Sequence, residues 1–266
     1  MALQIGSGIS IGSGIAVINS TLPVVSQGLN LNYDLSVGNI ATSFAANILP
    51  DSSVSNISAN IQPGTSISYT SANASASTPG FLHFPNAASS GNFAETSQAP
   101  SDVHYHGSMG IWFRIPSTFT GTNKLAGLEN NNNFSTPASN YDKTTFLTGG
   151  GNISSGFYSG GPQLVTISNN NYNDNKWHYA VATWQAGANY TLYVDGVTQS
   201  SISYSVAQVS AFTPAYWRVG GYRLAGWGQA DTNFTGDIAM FQTYNRALTQ
   251  YEVYQNFTAS RNIFGV

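Results

Sequence analysis

Residues 177–197 carry the clearest pattern of hydrophobic and polar positions in the chain. Over residues 177–184, alternate side chains point to opposite sides of an extended backbone, and both sides are largely apolar. Two apolar faces are typical of a strand that is buried between two layers. The short glycine-containing segment 185–189 and the turn pair Asp195-Gly196 bound a second apolar run. The pattern therefore predicts a β-hairpin.

Short strand patterns recur through the rest of the chain. They are separated by Pro50-Asp51, by Pro63-Gly64 and by connections rich in Asn and Gly. Many short strands at regular spacing favour a sandwich or jelly roll over a fold of alternating strands and helices. The predicted strands are 29–35, 56–61, 66–69, 81–84, 110–115, 124–128, 144–147, 156–158 and 163–167.

One helix is predicted, close to residue 250. Thr249 and Glu252 have the spacing of a capping box, in which each side chain accepts from the backbone N–H of the other residue. Leu248 and Val253 are placed as a hydrophobic staple, and Val253 shares a helix face with Phe257. We expect two to three turns packed on the rim of the sandwich.

Composition limits the classes of function. The 266 residues are 41% hydrophobic, which is enough for one full core. Only 7% are charged, against roughly a quarter in ordinary soluble proteins, and the net charge is −3. Since Lys and Arg form no cluster, we expect no nucleic-acid binding and no membrane attraction or insertion. The absence of cysteine excludes disulfides and thiolate metal sites.

Several segments together resemble the laminin-G-like, concanavalin A-like jelly rolls. The Trp-His strand at Trp177 and the Tyr-Val-Asp-Gly turn at 193–196 are similar to the family's most recognisable hairpin. The resemblance implies an all-β fold, a two-sheet antiparallel jelly-roll sandwich with one short C-terminal helix. The repeat near the amino terminus adds an extended N-terminal arm to this prediction. The other segments that carry the resemblance are GLNLNYD at 28–34, LPDSS at 49–53, FLHF at 81–84, GIWFR at 110–114, RVGG at 218–221, FTGDI at 234–238 and YNRAL at 244–248.

The predicted organisation is an arm over residues 1–27 and one jelly-roll domain over residues 28–266. The arm repeats Ile-Gly-Ser-Gly-Ile, which resembles the start of small virion structural proteins of marine tailed phages. We expect it to dock on other virion proteins or on a neighbouring subunit of a homo-oligomer by adding a strand. A loose tail, or a first strand packed on its own domain, is the alternative. The docking residues predicted are Ile5, Ile9, Ile11 and Ile15.

Asp102, His104 and His106 form a candidate metal site. In a strand these three side chains point to one face, and imidazole with carboxylate suits a divalent transition metal. The alternative is an exposed strand edge that binds nothing, and we expect no cofactor. The family resemblance leaves room for Ca²⁺ at the sandwich rim, where Asp231, Asn233 and Asn86 carry suitable oxygens.

The loop over residues 222–231 is the best candidate for ligand binding. It joins two recognisable strands, and loops held by a rigid sheet are where binding residues collect. A Trp between two glycines offers a flat face to a sugar ring, and neighbouring polar groups can fix hydroxyls. The alternative is that this Trp plugs the sandwich end or a subunit interface. The candidate residues are Tyr222, Arg223, Trp227, Gln229 and Asp231.

Catalytic chemistry is not expected. Glucanases on this jelly roll carry Glu-x-Asp-x-x-Glu, because retaining hydrolysis needs two carboxyl groups about 5 Å apart. The chain has no such triplet, and Glu95, Glu129 and Glu252 each stand alone in sequence.

These observations predict a non-enzymatic structural protein of the virion surface, either a capsid decoration or a tail or fibre component. Its lectin-like sandwich would face outward and bind host surface glycans. Ordinary secretion is not expected, because Gly and Ser interrupt the apolar stretch near the amino terminus. The alternatives are a cellular carbohydrate-binding or adhesion module outside the cell and, third, a glycan hydrolase.

Overall fold

In a computed structural model, strands are the main regular element of the described residues. The described residues are 22–63, 65–73, 78–85, 92–97, 103–130, 140–166, 171–221, 224–229 and 233–266. The strands are β1 Leu29–Asp34, β2 Ile48–Leu49, β3 Ala59–Ile61, β4 Ser68–Thr70, β5 Phe81–Phe84, β6 Phe93–Thr96, β7 His106–Arg114, β8 Asn123–Glu129, β9 Tyr141–Leu147, β10 Ile153–Tyr158, β11 Pro162–Thr166, β12 Trp177–Gln185, β13 Ala188–Val194, β14 Val197–Tyr204, β15 Tyr216–Gly220 and β16 Gly236–Tyr244. The helices are α1 Ala41–Ala45 and α2 Gln250–Phe264.

The strands form two antiparallel sheets of eight. Sheet 1 has the order β14-β13-β12-β7-β16-β5-β4, with β1 also paired to β16. Sheet 2 has the order β11-β10-β9-β8-β15-β6-β3-β2. The predicted jelly-roll sandwich is thus confirmed, and the hairpin predicted over residues 177–197 is β12 and β13, joined from Gln185 to Ala188.

The core lies between the sheets, and a second apolar layer lies outside sheet 1. Alternate residues of β12 serve both layers, because the strand is covered on each face. The set that faces sheet 2 is Ala180, Ala182 and Trp184, and the set that packs under α2 is Trp177, Tyr179 and Val181.

Helix α2 is longer than the predicted two to three turns. Its first turn has the expected capping box, with the Glu252 N–H donating to Thr249 Oγ1 over 3.3 Å. The helix continues because its apolar stripe continues, and Phe264 in the last turn stacks on Trp112 with ring centroids 4.0 Å apart. It ends at Gly265, whose φ of 71° is a conformation that glycine adopts without strain.

The described chain begins alongside α2. Val25 is buried, and its N–H donates to the Asn256 side chain over 2.8 Å. The predicted docking residues Ile5, Ile9, Ile11 and Ile15 lie outside the described residues. No helix in the described ranges is both long and apolar enough to cross a membrane.

Candidate functional site

Residues 224–229, between β15 and β16, fold over the outer face of sheet 2, the face turned away from sheet 1. Trp227 is 1% exposed and packs there with Leu224 and Phe146. Tyr141 and Tyr158 border this cluster and are half-buried. The segment therefore holds a large aromatic side chain against the sheet rather than at the sandwich end.

Two glycines make this turn fit the sheet. The Trp227 N–H donates to the Leu224 carbonyl over 2.8 Å, which closes a short 3₁₀ turn. A methyl group on Gly226 would overlap the Tyr141 hydroxyl, so only glycine allows this close approach. Gly228 follows with a φ of +73°. Packing therefore favours glycine at 226 and the backbone conformation favours it at 228, which sequence reasoning did not recognise.

The structure describes only part of the predicted ligand loop. The buried indole of Trp227 offers no free face to a sugar in this conformation. Gln229 is half-buried, and its N–H donates to the Leu224 carbonyl over 3.2 Å. The other predicted residues of this loop, Tyr222, Arg223 and Asp231, lie outside the described residues.

The aromatic rings that do reach the surface here are those of Tyr141 and Tyr158. Their centroids are 5.7 Å apart with the planes nearly perpendicular, and each ring centroid lies 6.2 Å from that of Trp227. Sequence reasoning missed both. The available signal was weak, because each Tyr stands at the end of a short strand and has no neighbouring motif.

Four charged side chains lie on the same face of sheet 2 and form what we name the buried charge cluster. Their strand neighbours Ala94, Leu128 and Trp217 point into the core, so alternation sends the charged residues outward. Their side chains are at most 3% exposed. The cluster consists of Glu95 on β6, Lys124 and Glu129 on β8, and Arg218 on β15.

Arg218 is the centre of the cluster. One guanidinium nitrogen lies 2.8 Å from Glu95 Oε1, and another lies 2.7 Å from Glu129 Oε2. Lys124 pairs with the other oxygen of Glu129. The two carboxylates and two cations balance, which is the condition under which burying ions is tolerable.

Burial changes the acidity of the cluster. It raises the pKa of Glu95 from 4.5 to about 7, although Arg218 opposes the change. The second oxygen of Glu95 has no hydrogen-bond partner among the described residues. Burial also lowers the pKa of Lys124, against the attraction of Glu129. Perturbed groups of this kind are frequent at functional sites.

The predicted metal residues lie apart from this face. His104 is buried between the sheets, with Nδ1 3.1 Å from Asp142 Oδ2 and Nε2 3.1 Å from the Phe212 carbonyl oxygen. His106 is half-buried at the start of β7, and Asp102 lies outside the described residues. Within the described ranges no three His, Asp or Glu side chains are grouped to hold a metal. The transition-metal site and the calcium site stay predictions.

Asp142 and Lys143 form a second buried ionic cluster with His104. The Lys143 ammonium lies 2.5 Å from Asp142 Oδ2 and donates to the Tyr204 hydroxyl over 3.1 Å. Lys143 has a φ of 47°, and a bulge in β9 turns two successive side chains inward. This cluster is enclosed by the core.

A two-sheet antiparallel sandwich is the architecture of the jelly rolls found in lectin domains. The laminin-G-type family model of the concanavalin A-like lectin/glucanases superfamily matches residues 88–254, more than half of the chain. The chain therefore belongs to the concanavalin A-like lectin/glucanases superfamily. A comparison with curated proteins gave no match.

Solved structures show the same fold at low sequence identity. The binding domain of Paraclostridial Mosquitocidal Protein 1 has a TM-score of 0.60 and 15% identity, over 86% of this chain and 52% of that one. The binding domain of botulinum neurotoxin DC in complex with SialylT has a TM-score of 0.62 and 11% identity, over 88% and 52%. Trypanosoma rangeli sialidase in complex with the inhibitor DANA has a TM-score of 0.58 and 15% identity, over 90% and 34%. The chain thus spans about half of each toxin domain and a third of the sialidase.

Proposed function

We propose that this chain is a non-enzymatic glycan-binding module. Its binding surface is the outer face of sheet 2 beside Tyr141 and Tyr158. The observation that carries the proposal is the pair of half-buried tyrosine rings that the buried Trp227 supports from below. Aromatic rings with a polar edge are suited to sugars, which present both C–H faces and hydroxyl groups.

The fold holds both tyrosines in position. Both tyrosines are on strands of sheet 2, and Tyr141 is also held by the close approach of Gly226. Preorganisation favours binding because less conformational freedom is lost when the ligand docks. Gln229 lies in the same turn and supplies an amide for hydroxyl groups.

Two structural neighbours support the ligand class. The neurotoxin DC binding domain was solved in complex with SialylT, and also in complex with rat synaptotagmin II. The Trypanosoma rangeli enzyme is a sialidase. These ligands belong to those proteins, and the identities of 11% to 15% relate this chain to them by fold alone.

The arrangement of the carboxylates supports a binding role over hydrolysis. A glycosidase places its two carboxyl groups on either side of the scissile bond. They are about 5–5.5 Å apart when one of them is the nucleophile, and about 6.5–9.5 Å apart when a water molecule must also fit between them. Glu95 and Glu129 instead share Arg218, whose guanidinium fills the space between them. We expect the buried charge cluster to hold three strands together beneath the binding surface.

Binding can be measured on an array of neutral and sialylated oligosaccharides, followed by calorimetry with the strongest ligand. We expect Tyr158→Ala to weaken binding about tenfold, because one aromatic contact with the sugar is lost. Tyr251→Ala is the matched control, because Tyr251 is 64% exposed on α2, on the opposite sheet. Equal affinities for the two variants, or no glycan bound at about 1 mM, would refute the proposal.

The proposed setting is the surface of a virus particle, with residues 1–27 docking on other virion proteins. Support comes from the Ile-Gly-Ser-Gly-Ile repeat and from a chain in which only 7% of residues are charged. Immunogold labelling and peptide mass spectrometry of purified particles test this setting. Replacing Ile9 and Ile11 by Ser should release the protein from particles without unfolding it. Labelling of cell surfaces and not particles would favour the cellular adhesion module.

A further inference from the structure

A pocket lies at one end of the sandwich, where β5 and β7 end and β16 begins. It has a volume of about 420 Å³, which is within the range of pockets that hold small ligands. It shares no described residue with the surface beside Tyr141 and Tyr158. The lining residues that decide its chemistry are His83, Pro85, Pro116, Thr118, Phe119 and Thr120.

His83 is held in one orientation by its neighbours on sheet 1. Leu82 and Phe84 belong to the core, so alternation along β5 turns His83 outward. Its Nδ1 lies 2.7 Å from Asp237 Oδ1. Arg114 holds the other oxygen of Asp237 through two guanidinium nitrogens, at 2.8 and 2.7 Å. The fixed carboxylate is an acceptor, and it therefore places the proton of the neutral imidazole on Nδ1.

The Nε2 atom of His83 is then the nitrogen that a ligand can reach. The side chain is 47% exposed, and the structure describes no hydrogen bond to Nε2. In the neutral imidazole with its proton on Nδ1, Nε2 is an acceptor. It therefore suits a hydroxyl group, which has a proton to donate, better than a carboxylate, which has none.

The loop that joins β7 to β8 supplies a second wall of the pocket. The Phe119 N–H donates to the Pro116 carbonyl over 3.0 Å, and the Asn173 amide donates to the Phe119 carbonyl over 2.7 Å. These bonds fix a half-buried aromatic ring between the exposed Thr118 and Thr120. An apolar ring flanked by hydroxyl groups matches a sugar, which has C–H faces and hydroxyl groups.

The distribution of charge narrows the class of ligand. None of the described lining residues is Lys, Arg, Asp or Glu. Asp237 and Arg114, which lie beside His83, pair with each other. An ionic ligand would therefore lose hydration on entering the pocket without gaining a counter-ion. A neutral ligand with several hydroxyl groups does not carry this cost.

We propose that this pocket is a second glycan-binding site, which takes a neutral mono- or disaccharide. His83 Nε2 accepts a hydrogen bond from one sugar hydroxyl, Thr118 and Thr120 bond to others, and the sugar ring lies against Phe119. The pocket does not depend on the surface beside Tyr158. If both sites bind, one chain can hold two glycan branches of the same surface, and linkage strengthens the second binding event. This last consequence also rests on the proposed function.

Imidazole nitrogen NMR of the full chain tests the pocket directly. The chain has only four histidines, so loss of one signal in His83→Asn identifies His83. The probes are the methyl glycosides of glucose, galactose, mannose and N-acetylglucosamine. We expect at least one of them to shift the Nε2 signal of His83 with a Kd on the order of 1 mM. The absence of such a shift with every probe at about 50 mM overturns the proposal.

Two substitutions of His83 separate a ligand contact from a structural role. Asparagine places an N–H where Nδ1 is, so His83→Asn keeps the bond to Asp237 but lacks the acceptor at Nε2. Glutamine places its amide near Nε2, so His83→Gln restores an acceptor there. We expect His83→Asn to weaken binding about tenfold and His83→Gln to weaken it less than about threefold.

These affinities are measured by saturation-transfer NMR of the bound probe in chains that also carry Tyr158→Ala, so that the surface beside Tyr158 contributes little. Thr118→Val with Thr120→Val keeps the shape of the loop, and we expect a loss of about tenfold from the two missing hydroxyl groups. Urea unfolding checks that each variant folds. Binding by His83→Asn that equals binding by the chain with His83 overturns the proposal.

Tyr158→Ala by itself distinguishes the two glycan sites. We expect it to leave the probe-induced shift of His83 unchanged. A retained shift, together with array binding that Tyr158→Ala does not alter, refutes the proposed function and supports the pocket. Array binding that Tyr158→Ala weakens, with no shift of His83, supports the proposed function and overturns the pocket. A shift of His83 that Tyr158→Ala abolishes also overturns a separate site.

Discussion

Replacing Glu95 by Gln tests whether burial governs the charge cluster. Glu95 is 1% exposed by its side chain, and burial raises its pKa from 4.5 to about 7 while Arg218 opposes the change. The folded protein therefore keeps a proton on Glu95 at pH values where the unfolded chain has lost it. Glutamine has the same shape as the protonated acid and does not titrate.

The sign and size of the effect follow from this difference. Between pH 4.5 and about 7 the folded state binds more protons than the unfolded state, so stability falls as pH rises. At about 1.36 kcal/mol per pKa unit, the difference between 4.5 and about 7 amounts to roughly 3 kcal/mol. The free energy of unfolding of Glu95→Gln, relative to the unmodified chain, should rise by about this amount from pH 4.5 to pH 7.5.

Urea unfolding at closely spaced pH values measures this difference, and other titrating groups cancel between the two proteins. Glu252→Gln is the control, because Arg246 and the backbone of Thr249 lower the pKa of Glu252 to about 2. The stabilisation that the Glu252 carboxylate gives the folded state is complete above pH 4.5 and is lost as pH falls toward 2. This loss lies outside the pH range in which Glu95 titrates. A constant difference between Glu95→Gln and the unmodified chain across pH 4.5–7.5 would refute the reasoning.

Three further substitutions test other parts of the fold by urea unfolding. Gly226→Ala should cost about 1–3 kcal/mol, because its methyl group overlaps the Tyr141 hydroxyl, and unchanged stability would contradict the packed turn. Lys143→Met should cost about 3–5 kcal/mol, because it leaves the Asp142 carboxylate buried with one partner fewer, and a loss under about 1 kcal/mol would contradict the buried pair. Thr249→Ala should cost about 1 kcal/mol through the lost helix cap, whereas Thr249→Ser should cost less.

The architecture was predictable because its signals are local. Alternation over residues 177–184 needs no knowledge of partners, and it indicated a strand covered on both faces. The capping box at Thr249 marked the start of α2 at the correct residue. The end of α2 was not predicted, since the contact of Phe264 with Trp112 joins residues far apart in sequence.

Irregular backbone geometry explains why other side-chain positions were not predicted. A regular pleat would send Asp142 and Lys143 to opposite faces of sheet 2, and alternation therefore predicts that one of them faces away from the core. The bulge in β9 and the left-handed backbone at Lys143 turn both inward instead. His104 then pairs with Asp142 in the core, whereas its pattern in sequence resembled a strand of metal ligands.

The composition of the sequence indicates the buried charge cluster, although the spacing of its four residues does not. Glu95 and Arg218 are cross-strand partners yet lie 123 residues apart, so only the pairing of β6 with β15 joins them. However, 8 basic and 11 acidic residues are too few to cover the surface of a chain of 266 residues. Charged residues set inside apolar strands, as Arg218 is between Trp217 and Val219, should then be read as buried partners of one another. This interpretation predicts equal numbers of acidic and basic residues on one face of a sheet, and the cluster has two of each.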